Sequence, residues 1–302
     1  MTIDHRTNLR AAALTAAAVS LFAVSDAVVK LLTAAYPPGQ ILFGRGVFAV
    51  LLLGLVLRLR RGGPIRLPLR DRATWLRSLI ELGATWCYFH ALAALPLAEA
   101  TAVLFVFPVL LTVLAALLLK EQVGGGRWSA VAAGLAGVLV IFRPGTAAFD
   151  PAALWALAAA AFIAGRDLAT RFVRPAVGTE AVALMTTGFT TLASLATAPF
   201  GWAVPDGAGL VGFASSAALV SLAFLCLVAG TRVGDVSFTA PFRYVMVPLS
   251  FVLGFLIWGQ VPDRFVLLGS LIIVAAGLAV LHRGGRQGRP KLWPKQSGGS
   301  GR

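Results

Sequence analysis

Asp26 and Lys30 stand one helical turn apart in SLFAVSDAVVKLLTAAY (residues 20–36), a stretch that is otherwise almost wholly apolar. A carboxylate and an ammonium at i and i+4 share a helix face. Inside an apolar helix such a pair either lowers the cost of burying both charges, with Lys30 snorkelling outward, or faces water and exchanges protons with it. Asp167 and Arg171, in DLATR, repeat the spacing 141 residues later. Arg243 lies between Phe242 and Tyr244, with Pro241 and Pro248 close by. A guanidinium is a planar fork for a carboxylate or phosphate, aromatic neighbours suit a flat ring, and the prolines free backbone carbonyls for a ligand. Trp86 and His90 are again i, i+4 and form a candidate stacking platform. Glu81 and Glu99 complete the isolated carboxylates. These groups suit the binding of a polar solute and proton exchange.

Each has a purely structural alternative. Glu81 is spaced to pair with Arg77, Asp167 with Arg171, and Glu121 with Lys120 or Arg127; Arg243 has Asp235 or a lipid phosphate within reach. Trp86 and His90 suit packing or a lipid-facing surface, Arg45 a structural anchor, and Glu99 a helix-start charge favoured by the dipole.

The chain that must position these groups has 302 residues, 58% hydrophobic and only 13% charged, with a mean hydropathy of +0.85. A soluble domain carries about a quarter charged residues, so the composition is that of an all-α integral membrane protein. The net charge of +14 sits between apolar runs and not as a stripe on a soluble domain, which argues against nucleic acid as a partner. Cys87 and Cys226 lie within apolar stretches and read as packing groups. Arg6 and Arg10 precede a long apolar segment like a signal sequence, but its length and its internal charges predict an uncleaved first helix.

Other chemistries lack their residues. GGGRW at 124–128 has no Lys-Ser/Thr and is no phosphate-cradling loop. His5, His90 and His282 have no metal-ligand spacing, and no nucleophile elbow is present. No metal and no cofactor is expected.

A membrane helix needs about 20 mainly apolar residues. Cutting at charges, prolines and glycine clusters predicts ten: 11–34, 40–58, 74–95, 98–119, 128–142, 152–172, 179–199, 209–230, 236–258 and 264–282. With both termini cytoplasmic, 21 of the 26 Lys and Arg residues fall in inner segments and only Arg143 and Arg264 in outer ones. Residues 1–10 then form a cytoplasmic N-terminus and 284–302, rich in Gly, Pro and basic residues, a flexible cytoplasmic tail.

The two charged pairs belong to a wider repeat. Gln40 and Glu180 fall at nearly the same offset, and LLLKEQV around Glu121 resembles FLIWGQV around Gln260 at an offset of 139. The chain therefore divides into repeats at 11–145 and 146–283. Five helices per half put the second copy upside down in the bilayer, the geometry that gives transporters two near-equivalent conformations.

The run FHALAALPLAEATAVLFVFPVLLTVLAALLLKEQVGGGRWSAVAAGLAGVLVIFRPG (89–145) resembles the EamA type of the drug/metabolite transporter superfamily, and APFRYVMVPLSFVLGFLIWGQVPD (240–263) looks like its second-half counterpart. The resemblance extends over residues 10 to 283. It departs at Gln260, where the family pattern usually has Glu, which puts symmetric protonation of both helix-end acids in doubt. The resemblance implies a cavity lined by the first, third, fourth, sixth, eighth and ninth helices. It also implies a secondary transporter of the bacterial inner membrane, moving a small amphipathic organic metabolite: an amino acid, a nucleoside or vitamin, or a drug-like solute. Substrate contacts are then expected at Arg243, Tyr244, Phe242, Trp86 and His90. Coupling or cavity charges are expected at Asp26, Lys30, Asp167, Glu81 and Glu99. Proton coupling or exchange is expected; a channel or a membrane-embedded enzyme is the alternative. The partners are a small-molecule substrate and the lipid bilayer, and a homodimer remains open.

Overall fold

A computed structural model describes residues 5–61, 67–121, 123–147, 149–174, 177–233 and 236–286. Among the described residues all regular structure is helical. The order is α1 (His5–Leu32), α2 (Pro38–Arg61), α3 (Arg72–Ala94), α4 (Leu97–Leu104), α5 (Phe107–Leu118), α6 (Gly125–Phe142), α7 (Ala153–Thr170), α8 (Thr179–Ser194), α9 (Gly207–Val233), α10 (Val236–Thr239), α11 (Met246–Trp258) and α12 (Arg264–Arg286). Short 3-10 stretches follow α8 (Leu195–Thr197) and join α10 to α11 (Ala240–Val245).

Eight stretches are long and apolar enough to cross a bilayer: 7–32, 38–59, 97–118, 125–142, 153–170, 207–230, 241–258 and 264–282. Of the ten expected helices, α3 and α8 fall short for identifiable reasons. The first carries Arg72, Arg77 and Glu81 in its opening turns, and the second has only 16 residues, several of them threonines. The first helix begins at His5, earlier than expected. Residues 287–302, the expected tail, lie outside the described residues.

Local chemistry sets the helix ends. Asp71 caps α3, its Oδ2 accepting from the backbone N–H of Thr74 at 3.0 Å and from the Thr74 hydroxyl at 2.6 Å. Asp263 does the same for α12, taking the N–H groups of Phe265 and Val266 at 2.8 and 2.9 Å. Arg143 closes α6 in the left-handed region at φ 48° and Gly259 closes α11 at φ 63°. Two spans are interrupted. The first parts between α4 and α5 around Phe105 and Val106, just before Pro108, and the second passes through the 3-10 stretch that holds Pro241 and Arg243.

Helix α1 packs on α9, α3 on α7, α2 on α8 and α9, α6 on α12, and α4 on both α7 and α11. Small residues permit these approaches, as expected where lipid supplies no hydrophobic drive between helices. A Cβ at Gly137 of α6 would lie 2.9 Å from the Gly269 carbonyl oxygen of α12. Along α7 an alanine row (Ala153, Ala156, Ala159, Ala160, Ala164) is buried against its neighbours.

Candidate functional site

Among the described residues, the interior carboxylates and the groups around them form two connected clusters. In the first, Asp26 of α1 is 7% exposed and accepts a 2.9 Å hydrogen bond from the Tyr88 hydroxyl of α3. Arg45 of α2 lies within electrostatic range of Asp26, Tyr88 and Glu81, with its guanidinium 5.4 Å over the Phe89 ring. In the second, Arg166 of α7 is the hub. It donates to Glu81 Oε2 of α3 at 3.0 Å and, through Nε and Nη2, to Asp167 Oδ1 at 2.9 and 2.8 Å. Arg243 lies within electrostatic range of Asp167 and Arg166. The clusters meet through Glu81, which feels Arg166, Arg77 and Arg45 together. A chain of alternating charges thus runs from α1 through α2, α3 and α7 to the broken α10–α11 segment.

The expected intrahelical pairs do not form, because each group finds a closer partner on another element or beside it. Lys30 turns from Asp26 and donates to the carbonyls of Leu92 and Leu95 at 2.8 and 2.6 Å, with Nζ 5.7 Å over Trp258. Those oxygens belong to the last turn and the C-cap of α3, where acceptors lack helical partners and the dipole favours a cation. Arg171 pairs at 2.8 Å with Glu121 and not with Asp167, so Glu121 is not held by Lys120. Arg77 donates to the hydroxyls of Thr170 and Thr186 at 3.0 and 2.9 Å and leaves Glu81 to Arg166. Asp235, the expected partner of Arg243, lies outside the described residues.

Trp86 and His90 do share a face, with ring centroids 4.8 Å apart, and Trp155 of α7 continues the stack at 5.1 Å from His90. His90 Nδ1 is 2.9 Å from the Trp86 carbonyl, an obligate acceptor, so that nitrogen carries the proton. Among the described residues no hydrogen bond, ion pair or ring contact links the stack to the charge chain. Tyr88 lies two turns from Glu81 on one side of α3, whereas Trp86 and His90 are rotated from it by about 140° and 180° at about 100° per residue. That rotated side also carries Gly83, against which Phe162 of α7 packs. Phe242 stacks on Phe238 at 6.0 Å, and Tyr244 is buried with its ring 5.4 Å from Phe105 and its hydroxyl against Gly277. Glu99 occupies the first turn of α4, as a dipole-favoured charge should.

Arg45, Tyr88 and Arg166 are the residues that sequence reasoning undervalued. Arg45 read as an anchor and Arg166 as a topological charge. A cue was available in Arg166–Asp167, an adjacent acid and base within the apolar seventh helix. Tyr88 offered none.

Outside the bundle, the turn after α1 and the loop before α9 are clasped together. Tyr36 donates to Asp206 Oδ1 at 2.8 Å, and Gln40 Oε1 accepts from the Ala203 N–H at 3.0 Å while its amide donates to the Ala203 carbonyl. The Gly209 N–H and then the Tyr36 hydroxyl hold the Asp206 carboxyl below its ordinary value. An apolar crevice of about 530 Å³ opens beside this clasp, lined by Phe43, Phe48, Trp202, Val204 and Phe213 among others. Among the described residues no three His, Cys, Asp or Glu side chains are grouped to hold a metal.

Known proteins place this geometry in context. Residues 9–143 match the EamA-like transporter family. A riboflavin transporter of Rhizobium johnstonii is 30% identical over 202 residues, 66% of each chain. An S-adenosylmethionine uptake transporter of Rickettsia felis is 27% identical over 207 residues, 68% of this chain and 70% of its own. The pseudopaline exporter CntI of Pseudomonas aeruginosa is 28% identical over 272 residues, 86% of this chain and 91% of its own. One solved crystal structure superposes with a TM-score of 0.63 at 26% identity, covering 91% of this chain and 98% of that one. An apolar multi-pass helical bundle threaded by compensated charges, with relatives that are transporters of small metabolites, belongs to the EamA-like transporters of the drug/metabolite transporter superfamily.

Proposed function

We propose that the chain is a secondary transporter that moves a small amphipathic organic metabolite across the bacterial inner membrane by alternating access. The observation that carries this reading is the chain of charges from Asp26 to Arg243. Its members come from five different segments and sit where bare charge is costly, so they face one another or water and not lipid.

Ten passes follow when α3 and α8 are counted with the eight apolar spans, α3 keeping its charges inside the bundle. Both termini are then cytoplasmic. Inverted five-helix repeats at 11–145 and 146–283 are supported by the packing. Exchanging the halves maps the α1–α9 contact onto α7–α3 and returns α2–α8 and α6–α12 to themselves. The interruptions also correspond: Phe105 and Tyr244, 139 residues apart, stack on each other at 5.4 Å. Two such halves rocking about α4–α11 would expose the charges to each side in turn.

Coupling to protons or to a counter-solute follows from the same residues. Glu81 and Asp167 are clamped by Arg166, whereas the group that donates a hydrogen bond to Asp26 is the neutral Tyr88 hydroxyl. Asp26 is therefore the acid best placed to exchange a proton, with Tyr88 and Arg45 facing it and Lys30 on its own helix. Phe242 and Tyr244 bracket Arg243 on the substrate route. Trp86 and His90 serve the α3–α7 contact with Trp155 and take part in substrate binding only if α3 rotates.

The test is to compare metabolites inside and outside cells that overproduce the wild type, Arg243→Ala or an empty vector. A solute redistributed by the wild type alone is expected. If no solute differs from the vector, or the variant matches the wild type throughout, the proposal falls in its first or second part respectively.

A further inference from the structure

Among the described residues five cations are drawn into the interior of the bundle, and the fold spends three of them. Lys30 is held by two α3 carbonyls, Arg77 by two threonine hydroxyls, and Arg166 by two carboxylates. Arg45 and Arg243 remain. Among the described residues neither makes a hydrogen bond or ion pair; Arg45 stacks on Phe89, and Arg243 stands in the field of Asp167 and Arg166. A guanidinium away from bulk water costs several kcal/mol unless its N–H groups are satisfied, and its planar fork matches a carboxylate or phosphate. The acids near each already have a holder: around Arg45, Glu81 has Arg166 and Asp26 has Tyr88, and beside Arg243, Asp167 has Arg166.

From this we infer that Arg45 is a second anion-binding residue, and that the cargo carries a carboxylate or a phosphate which Arg45 receives at one level of the pathway and Arg243 at another. The assignment rests on the transporter reading and deepens it, by naming the substrate's charged group and adding a contact on α2. The two residues arrive from different halves of the chain, Arg45 eight residues into α2 and Arg243 within the interrupted α10–α11 segment. Each therefore moves with its own half if the halves rock. Phe89, with its ring centroid 5.4 Å from the Arg45 guanidinium carbon, supports that cation through its π-face, which engages none of the N–H groups an anion needs. A neutral or purely cationic solute would leave both forks empty in every state.

Purified protein in lipid nanodiscs is screened by thermal shift against matched pairs that differ only at the anion: S-adenosylmethionine and its decarboxylated analogue, glutamate and its dimethyl ester, a nucleoside monophosphate and its nucleoside. Stabilisation is expected from one or more anionic members and not from their partners. Arg45→Gln and Arg243→Gln each weaken it about tenfold to hundredfold, the worth of a charge-assisted hydrogen bond. Lysine at either site restores part of the affinity, since charge without the fork is retained. Unliganded melting temperatures show whether each variant is folded. Stabilisation by an uncharged member as strong as by its anionic partner overturns the proposal, as does a panel in which no anion binds. Undiminished binding in both folded glutamine variants overturns it too. Anion binding lost in the variants without flux in liposomes would leave this site standing and remove the transport reading. Flux of an uncharged solute unaffected by either variant would do the reverse.

Discussion

Replacing Arg166 by glutamine removes the hub of the inner cluster and leaves Glu81 and Asp167 without their cation. The side chains of Arg166, Glu81 and Asp167 are 23%, 23% and 29% exposed, so all three are largely shielded. Removing one partner of a buried pair costs about 3–5 kcal/mol. The remaining exposure and the nearby Arg77 place the expectation at the lower bound, about 3 kcal/mol. At about 2 °C per kcal/mol for a chain of this size, the apparent melting temperature falls by roughly 6 °C. A double-mutant cycle isolates the pair. Glu81→Gln alone strands part of Arg166, whereas the Glu81→Gln/Arg166→Gln double variant strands only Asp167, and the two effects combine to less than their sum by about 1 kcal/mol or more. The assay is thermal unfolding in one detergent, with circular dichroism confirming native helicity before each scan. Additivity within about 0.5 kcal/mol would show that Arg166 and Glu81 do not sense each other, and the alternating-charge account would fail at its centre.

Four further outcomes follow from named contacts. Lys30→Met leaves the Leu92 and Leu95 carbonyls without their cation and costs about 1–3 kcal/mol; amide exchange should quicken in the last turn of α3, and unchanged protection there would contradict the clasp. Gly137→Val sets a side chain against the Gly269 carbonyl oxygen and costs about 1–3 kcal/mol by overpacking, whereas Gly54→Val, in open space, should melt like the wild type. Asp206 has a carboxyl held below its ordinary value of 3.8, so its stabilisation is complete above that value and lost as pH falls through the lower folded one. Trp202 fluorescence, reporting on the same loop, should change in that acid range in the wild type and stay flat in Asp206→Asn. Flux that varies with pH in the wild type should lose that dependence in Asp26→Asn, and an unaltered pH profile would release Asp26 from the coupling role.

Much of the architecture was legible because hydropathy over windows of about 20 residues measures the same transfer energy that places a helix in lipid. The proposed repeat was suggested by the spacing of Asp26 and Asp167 and of Glu121 and Gln260. It failed as a guide to pairing, since spacing along one helix says nothing of what a neighbouring helix offers. Lys30 has Asp26 one turn away yet takes two carbonyls at the end of α3, whose lone pairs are open in any sequence. Arg77 and Arg166 compete for Glu81, and only the α3–α7 packing decides between them. The helical phase of Trp86 and His90 against Glu81 was present in the residue numbers. Which side of α3 meets α7 was not. Arg45 was undervalued for the same reason: among the described residues it has no hydrogen-bond or ion-pair partner, and that is a property of the assembled bundle.

The most direct measurement of the central claim is counterflow in liposomes containing the purified protein. A solute that the cell comparison identifies is loaded inside, and uptake of its labelled form is followed from outside. The account predicts saturable uptake that internal solute accelerates and that Arg243→Gln abolishes. Uptake that rises linearly with concentration and ignores the internal solute would mean a channel, and would contradict alternating access.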